Sequence, residues 1–247
     1  MKISILQNIF CPNEKMLQKN IDSIKSQYQF KNDVEFHYIG WCSNEGFWND
    51  IEDCIKFLSP KTFIKCDKNY GKAYNINNLL SKVNTDYILT MDSDIIFKKN
   101  TNYISVINDL IEIPNMGIIS FNQEEHNCHL LQIMDHKIFH KNHEIIWSSS
   151  NGGIAGGCVL IQTEIFKEIN GYRVMGVYAG DDAFLFKDIK SKGYLCGLIK
   201  NISVIHPYDD NRGYQLWKLH VCTRDSYGNQ NIDLEEKIEE SMKIWKN

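Results

Sequence analysis

Two aspartates one residue apart, Asp92 and Asp94, close a run of strand-forming residues, Tyr87-Ile88-Leu89-Thr90-Met91. A strand carried through to Asp94 turns both carboxylates to one face, at the carboxyl edge of a sheet. Two carboxylates so placed repel each other unless a cation lies between them or a ligand covers them. Hard divalent cations such as Mg²⁺ and Mn²⁺ take oxygen ligands, often one or two carboxylates completed by substrate phosphates. The stretch therefore reads as a seat for a metal and a phosphorylated ligand. The plainer alternative is a pair of solvated, loop-initiating aspartates, and Asp-x-Asp alone does not decide between them.

Other groups are of the right type to join them. Asn69-Tyr70-Gly71-Lys72-Ala73-Tyr74-Asn75 follows an apolar run and opens a helical one. Gly71 permits a tight turn, a helix N-terminus offers free N–H groups to an anion, and Lys72 adds a cation. An ordinary strand-to-helix loop with a capping Asn is the alternative. The stretch lacks the spacing of a Gly-x-x-x-x-Gly-Lys-Ser/Thr loop, and no Gly-x-Gly-x-x-Gly joins a strand to a helix, which argues against both of those nucleotide sites. Asn151-Gly152-Gly153-Ile154-Ala155-Gly156-Gly157-Cys158 leads into a strand, where glycines serve a bulge or the close approach of backbone to a ligand. Gly180-Asp181-Asp182 sets two carboxylates at a helix start; one suffices as N-cap and the second is available as a general base. His206 ends the strand Ile202–Ile205 as the aspartates end theirs, and an imidazole ligand moves the expected ion from Mg²⁺ toward Mn²⁺. His136, His140 and His143 have helical i, i+4, i+7 spacing, which suits either a metal or a polar surface segment.

The elements that must hold these residues are legible as alternating patterns. Strands are expected at 2–6, 34–40, 62–66 and 86–91, with helices at 13–28, 47–58 and 71–83 between them. Such alternation means βαβ units and a mostly parallel sheet. The second half reads as strands at 116–121, 154–162 and 195–205, a polar His-rich stretch at 123–150, and helices at 164–169, 182–192 and 232–245. The 247 residues, 43% hydrophobic and 23% charged, suit one α/β domain. A net charge of −4 offers no broad basic field for nucleic acid. No apolar window reaches the length of a membrane span. Eight cysteines without a Cys-x-x-Cys pair point to reduced thiols and a cytoplasmic setting.

Taken in order, these pieces resemble the nucleotide-sugar-dependent glycosyltransferases of the GT-A fold, especially the family 2-like members, with a galactosyltransferase-like C-terminal region. The resemblance runs from about Ile3 to His206. It rests on Asn-x-Gly-Lys-Ala-x-Asn at 69–75, on Asp-Ser-Asp at 92–94, and on the run Gly156-Gly157-Cys158 … Phe166 … Asn170-Gly171-Tyr172 … Gly180-Asp181-Asp182 … Lys192-Gly193-Tyr194, closed by His206. It implies a single Rossmann-like GT-A domain, its mostly parallel central sheet flanked by helices. Residues 1–94 would be the nucleotide half, 95–210 the acceptor half and 211–247 a tail helix. The implied enzyme is a metal-dependent hexosyltransferase, inverting, that uses a nucleotide sugar (a UDP-sugar first) with Mn²⁺ or Mg²⁺. By the same likeness Asp94 would bind the metal directly, Asp92 would reach it through water or hold the ribose, and His206 would be the further ligand. Lys72 and Asn75 would flank the nucleotide, with Asn8 beside them. Asp182 would deprotonate the acceptor hydroxyl while Asp181 helps hold donor sugar or acceptor.

Two positions depart from the family pattern. The second strand usually ends in an Asp that reads the nucleotide base; here Trp41 and Cys42 stand there, and Trp41 is placed to stack on the base instead. The acidic pair is Asp-Asp where Glu-Asp is usual. A sugar nucleotidyltransferase shares the plan but needs a Gly-rich basic loop after the first strand, which Gln7-Asn8-Ile9-Phe10-Cys11-Pro12 is not. A non-catalytic sugar- or nucleotide-binding module needs no base, so Asp182 speaks for an enzyme. The basic residues Arg212, Lys218 and Arg224 suit a donor diphosphate or a phosphate-bearing acceptor. A glycan, a protein side chain and a hydroxylated nucleobase in DNA are all acceptors open to such a site.

Overall fold

In the computed structural model the patterns of the first half become β1 (Ile3–Cys11), α1 (Glu14–Ser26), β2 (Glu35–Cys42), α2 (Glu45–Lys56), β3 (Thr62–Lys65), α3 (Lys72–Leu80) and β4 (Tyr87–Met91). The structure describes residues 1–124, 134–147, 156–178, 181–227 and 232–246, with the backbone alone at 181, 227, 232 and 246. Asn13 and Asn44 start α1 and α2 by accepting the N–H groups of Met16 and Phe47, each at 2.9 Å, the usual remedy for orphan donors at a helix start. β1 is buried along nearly its whole length, as a strand covered by helices on both faces must be.

The later elements are α4 (Tyr103–Leu110), β5 (Met116–Glu124), β6 (His136–His140), β7 (His143–Trp147), β8 (Cys158–Gln162), α5 (Thr163–Glu168), α6 (Asp181–Ser191), β9 (Leu195–Ile205), α7 (Arg212–Tyr227) and α8 (Ile232–Lys246). All nine strands join one sheet in the order β3-β2-β1-β4-β8-β5-β9-β7-β6. The β3-β2-β1-β4 half is parallel throughout. β8 then inserts antiparallel between β4 and β5, and β5 pairs in parallel with β9. One large apolar core lies on the face covered by α1, α2 and α4, and a second lies under α3, α5 and α6. A third, small cluster joins Met16 of α1 to Trp217, Val221 and Trp245 of α7 and α8.

Several elements depart from the pattern reading. β4 stops at Met91, so Asp92-Ser93-Asp94 is a turn and its carboxylates are aimed by turn geometry, not by strand alternation. β1 and β5 run past their expected ends, which carries Asn8 and Gln123 to the sheet edge. The helical spacing of His136, His140 and His143 is overturned: β6 and β7 form a hairpin in which His140 pairs with His143. There the His136 ring stacks on Trp147, with centroids 5.4 Å apart, and His143 Nε2 lies 3.0 Å from Asp109 Oδ2. The tail is two packed helices instead of one, and α4 stands where no element was expected.

Candidate active site

The ends of β1, β4 and β9 and the start of β8 meet at one edge of the sheet, around a cavity of about 370 Å³. This is where open α/β sheets place their ligands. The Asp92–Asp94 turn is held from below by a buried amide. Gln7 Nε2 donates to the carbonyls of Asp92 and Ser93, both at 3.3 Å, and to Ser23 Oγ at 2.7 Å. Gln27 Nε2 donates to Gln7 Oε1 at 2.6 Å, and Tyr38 OH donates to Gln27 Oε1 at 2.9 Å. A fully satisfied buried network of this kind fixes a turn in one conformation.

Asp94 and His206 are distant in sequence and meet because Ile96 and Ile205 form an antiparallel bridge, with both N–H···O bonds at 2.9 Å. The residues beyond that bridge face each other, and His206 Nε2 lies 3.3 Å from Asp94 Oδ1. Gln123 Oε1 accepts from His206 Nδ1 at 2.7 Å, which leaves Nε2 as the nitrogen presented to the cavity side. Burial pushes the His206 imidazole down, but the hydrogen bond and charge of Asp94, with Asp92 behind it, outweigh this and hold it above its ordinary value. Burial likewise pushes Asp94 up, and the hydrogen bond and charge of His206 with the Lys19 ammonium pull it below the usual carboxylate range.

Lys72 begins α3 and reaches back across the cavity. Its Nζ lies 2.8 Å from Asp92 Oδ1, 3.3 Å from Asp182 Oδ1 and 3.0 Å from the Gly156 carbonyl. The Tyr172 ring lies 5.5 Å beneath it, and Tyr172 is itself pinned by Asn77, which accepts its N–H and donates to its carbonyl, both at 2.8 Å. Gly71, at φ +85°, supplies the turn before Lys72; a Cβ there would fall 2.5 Å from the Val177 carbonyl oxygen. Asn69 accepts the Gly71 N–H at 3.0 Å. Asp182 sits in the first turn of α6, and Gly156 lets it do so, because a Cβ on Gly156 would lie 1.9 Å from the Asp182 carboxyl carbon. The charge beside Asp182 is thus the Lys72 ammonium. The side chain of Asp181 lies outside the described residues, as do Gly180 and 151–155 of the Gly-rich run.

The cavity brings together Asn8, Lys72, Asp92, Asp94, Asp182 and His206. Asn75 and Trp41 stand one layer back. Asn75 Nδ2 donates to Asn8 Oδ1 at 2.7 Å from a fully buried position. Trp41 stacks on Phe10 at 5.9 Å, and it is Phe10 that lines the cavity. Sequence reasoning missed three contributors. Gln7 and Gln123 are polar interruptions in apolar strands, which marks their type but not the direction in which they face. The third is the aromatic part of the α7 wall, Tyr214 and Trp217, which enters the cavity beside the Lys218 that the sequence offers as a phosphate-binding residue. The three segments expected at 1–94, 95–210 and 211–247 therefore all contribute to one site. Among the described residues no three His, Cys, Asp or Glu side chains converge closely enough to hold an ion unaided.

The family model for glycosyl transferase family 2 matches residues 9–170, well over half the chain. Among solved structures, the mannosyltransferase PcManGT from Pyrobaculum calidifontis, in complex with GDP-Man and Mn²⁺, is similar at 11% identity and a TM-score of 0.64, over 97% of this chain and 68% of that one. TarS 1-349 of S. aureus, in complex with UDP-GlcNAc, is similar at 11% identity and a TM-score of 0.62, over 99% and 72%. GalNAc-T7 with UDP, GalNAc and Mn²⁺ is similar at 12% identity and a TM-score of 0.61, over 98% and 54%. No curated protein matches the sequence. At such identities the solved structures speak for the fold and the family model for the lineage: the chain belongs to glycosyl transferase family 2 and is a glycosyltransferase of the GT-A fold.

Proposed function

We propose that the protein is a divalent-metal-dependent, inverting hexosyltransferase that moves a sugar from a nucleotide diphosphate sugar, a UDP-sugar first, to an acceptor hydroxyl on a glycan, a protein or a hydroxylated nucleobase. The observation that carries this reading is the convergence of Asp94, His206, Asp92, Lys72 and Asp182 on one cavity. The donor set fits Mn²⁺ or Mg²⁺. Two ligands at ~2.1 Å from an ion and at right angles to each other stand about 3 Å apart, close to the 3.3 Å between Asp94 Oδ1 and His206 Nε2. A carboxylate with an imidazole favours Mn²⁺ over Mg²⁺. Asp92, two residues before Asp94 and tied to Lys72, would reach the ion through water or hold the ribose. Phosphate oxygens and water complete the shell of an ion when the protein supplies few ligands, in keeping with the absence of a three-residue cluster among the described residues.

When bound, the cation supplies charge stabilisation to the departing nucleoside diphosphate. The chain's own residues do the rest. Gln7 fixes the turn that carries Asp92 and Asp94, and Gln123 fixes the imidazole. Asp182 takes the proton of the acceptor hydroxyl as its oxygen bonds to the anomeric carbon. The bond to the diphosphate oxygen breaks with its electron pair staying on the diphosphate, and Lys72 holds Asp182 in place. The related complexes support the donor class, since their ligands are GDP-Man, UDP-GlcNAc, and UDP with GalNAc. The galactosyltransferase-like C-terminal region belongs to this proposal, because the family match ends at 170. So does the cytoplasmic setting, which rests on the cysteines; no helix among the described residues is long and apolar enough to cross a membrane.

A thermal-shift screen of UDP- and GDP-sugars with Mn²⁺ tests the reading. A donor at 100 times its Kd adds about 2.7 kcal/mol, or about 5–10 °C for a domain of this size. No shift with any donor–metal pair sinks it. Gly156→Ala offers a sharper check. The added Cβ must push the Asp182 carboxylate aside, a small cost to the fold and a large one to alignment. Turnover is expected to fall by about 10²-fold with the melting temperature within a few degrees of the parent; an unimpaired variant would place the base elsewhere.

A further inference from the structure

The cavity faces an incoming donor with three carboxylates, Asp92, Asp94 and Asp182, and three cationic side chains, Lys72, His206 and Lys218. Two of the cations are already committed. Lys72 spans Asp92 and Asp182, and His206 is set against Asp94 and Gln123. Lys218, in the middle of α7, is held differently. Its Nζ lies 5.1 Å from the Tyr178 ring centroid and 5.9 Å from that of Tyr214. Among the described residues no carboxylate comes within the 4.0 Å of an ion pair with it. Aromatic faces steady an ammonium without accepting its N–H groups as a carboxylate would, so its donors remain directed at an anion.

Its position agrees with that accounting. Lys218 lines the main cavity and also a smaller one of about 50 Å³ that it shares with Asp94 and His206. It therefore flanks the pair proposed to hold the cation, in a smaller cavity that Lys72 does not line. The other basic residues of this segment are placed for other work. Arg224 pairs with Asp225 at 2.9 Å and with Glu235 at 3.4 Å, and Asp225 in turn accepts the Tyr178 N–H at 2.9 Å. Arg212 is exposed at the start of α7, outside the cavity lining.

Resting on the donor reading above, we infer that Lys218 is the side chain that binds the diphosphate of the nucleotide donor, delivered from the C-terminal helical hairpin. A nucleoside diphosphate brings several negative charges to a wall that already carries three carboxylates, and a cation not spent on those carboxylates offsets the repulsion.

Calorimetric titration of UDP and of GDP with Mn²⁺ into the full chain tests the inference on the parent, Lys218→Gln and Lys218→Arg. The better-bound nucleotide should lose about 10- to 100-fold in affinity with Lys218→Gln, the scale of one charge-assisted hydrogen bond. The affinity of the Gln variant should also depend less on salt. Lys218→Arg, which keeps the charge, should bind within a few fold of the parent. The inference is overturned if Lys218→Gln binds within twofold of the parent. It is equally overturned if Gln and Arg variants lose affinity together along with their melting temperature, since Lys218 is then only packing α7. A parent that binds neither nucleotide fails the donor reading itself, and the inference falls with it.

Discussion

Asp94→Ala is expected to abolish the metal-dependent part of nucleotide binding. Asp94 is the aspartate that faces His206 Nε2 at 3.3 Å, and it is half-buried beside that imidazole. With one of the two proposed protein ligands gone, the affinity of UDP or GDP in the presence of Mn²⁺ should drop by at least about 10²-fold and approach the metal-free value, the scale on which metal sites respond to loss of their supporting groups. Calorimetry with and without Mn²⁺ reads the effect directly. The turn itself is anchored through the Asp92 and Ser93 carbonyls by Gln7, so the variant should still fold. A mutant in which Mn²⁺ continues to strengthen nucleotide binding as it does in the parent refutes the metal assignment.

Asp182→Asn separates the acceptor side of the reaction from the donor side. The amide keeps the shape of the carboxylate but cannot take a proton near neutrality. Turnover is expected to fall by about 10²-fold or more, the contribution of a general base, with nucleotide affinity changed by only a few fold. The same change at Asp181 should reduce turnover less and act on acceptor binding. If Asp181→Asn is the inactive variant and Asp182→Asn keeps its turnover, the two roles must be exchanged. Should both stay active, the pair serves only to cap α6.

The residues legible in the sequence were those that punctuate an element. Asp92 and Asp94 follow an apolar run, Lys72 opens a helix behind Gly71, Asp182 lies in the first turn of α6 and His206 follows β9. Such positions stand out because the pattern changes at them. What stayed hidden lies inside elements. Gln7 and Gln123 belong to strands that bury both faces, where no alternation marks a side chain as turned toward the site. α7 carries no single apolar stripe: it buries Trp217 and Val221 yet leaves Leu219 60% exposed, because it packs on α8 and lines the cavity with another of its faces. The three histidines misled for a related reason. Spacings of four and three fit a helix, but Lys141 at φ +51° and Asn142 turn the chain in two residues, which sets His140 opposite His143. α4 was readable, since Tyr103, Val106, Ile107 and Leu110 follow helical spacing; its apolar run blends into its surroundings and hides its ends.

The small aromatic cluster has a consequence for how the protein reaches its working form. Trp245 of α8 packs on Phe10 of β1, and its carbonyl accepts from Asn13 Nδ2 across 232 residues of chain. Closing a loop of that length costs about 3 kcal/mol more than closing one of ~10 residues, whereas the strands of the parallel half, β1 with β2 and with β4, pair across shorter stretches of chain. The sheet can therefore mature while the α7–α8 hairpin is still unattached, and Tyr214, Trp217 and Lys218 arrive only when the hairpin docks. Opening of that hairpin in the native protein exposes a minor cluster and leaves both main cores intact, so it proceeds at far lower free energy than global unfolding. Amide hydrogens of α7 and α8 are expected to exchange ahead of those of β1 and β4 in a hydrogen-exchange measurement, and a nucleotide that touches the docked wall should slow them selectively.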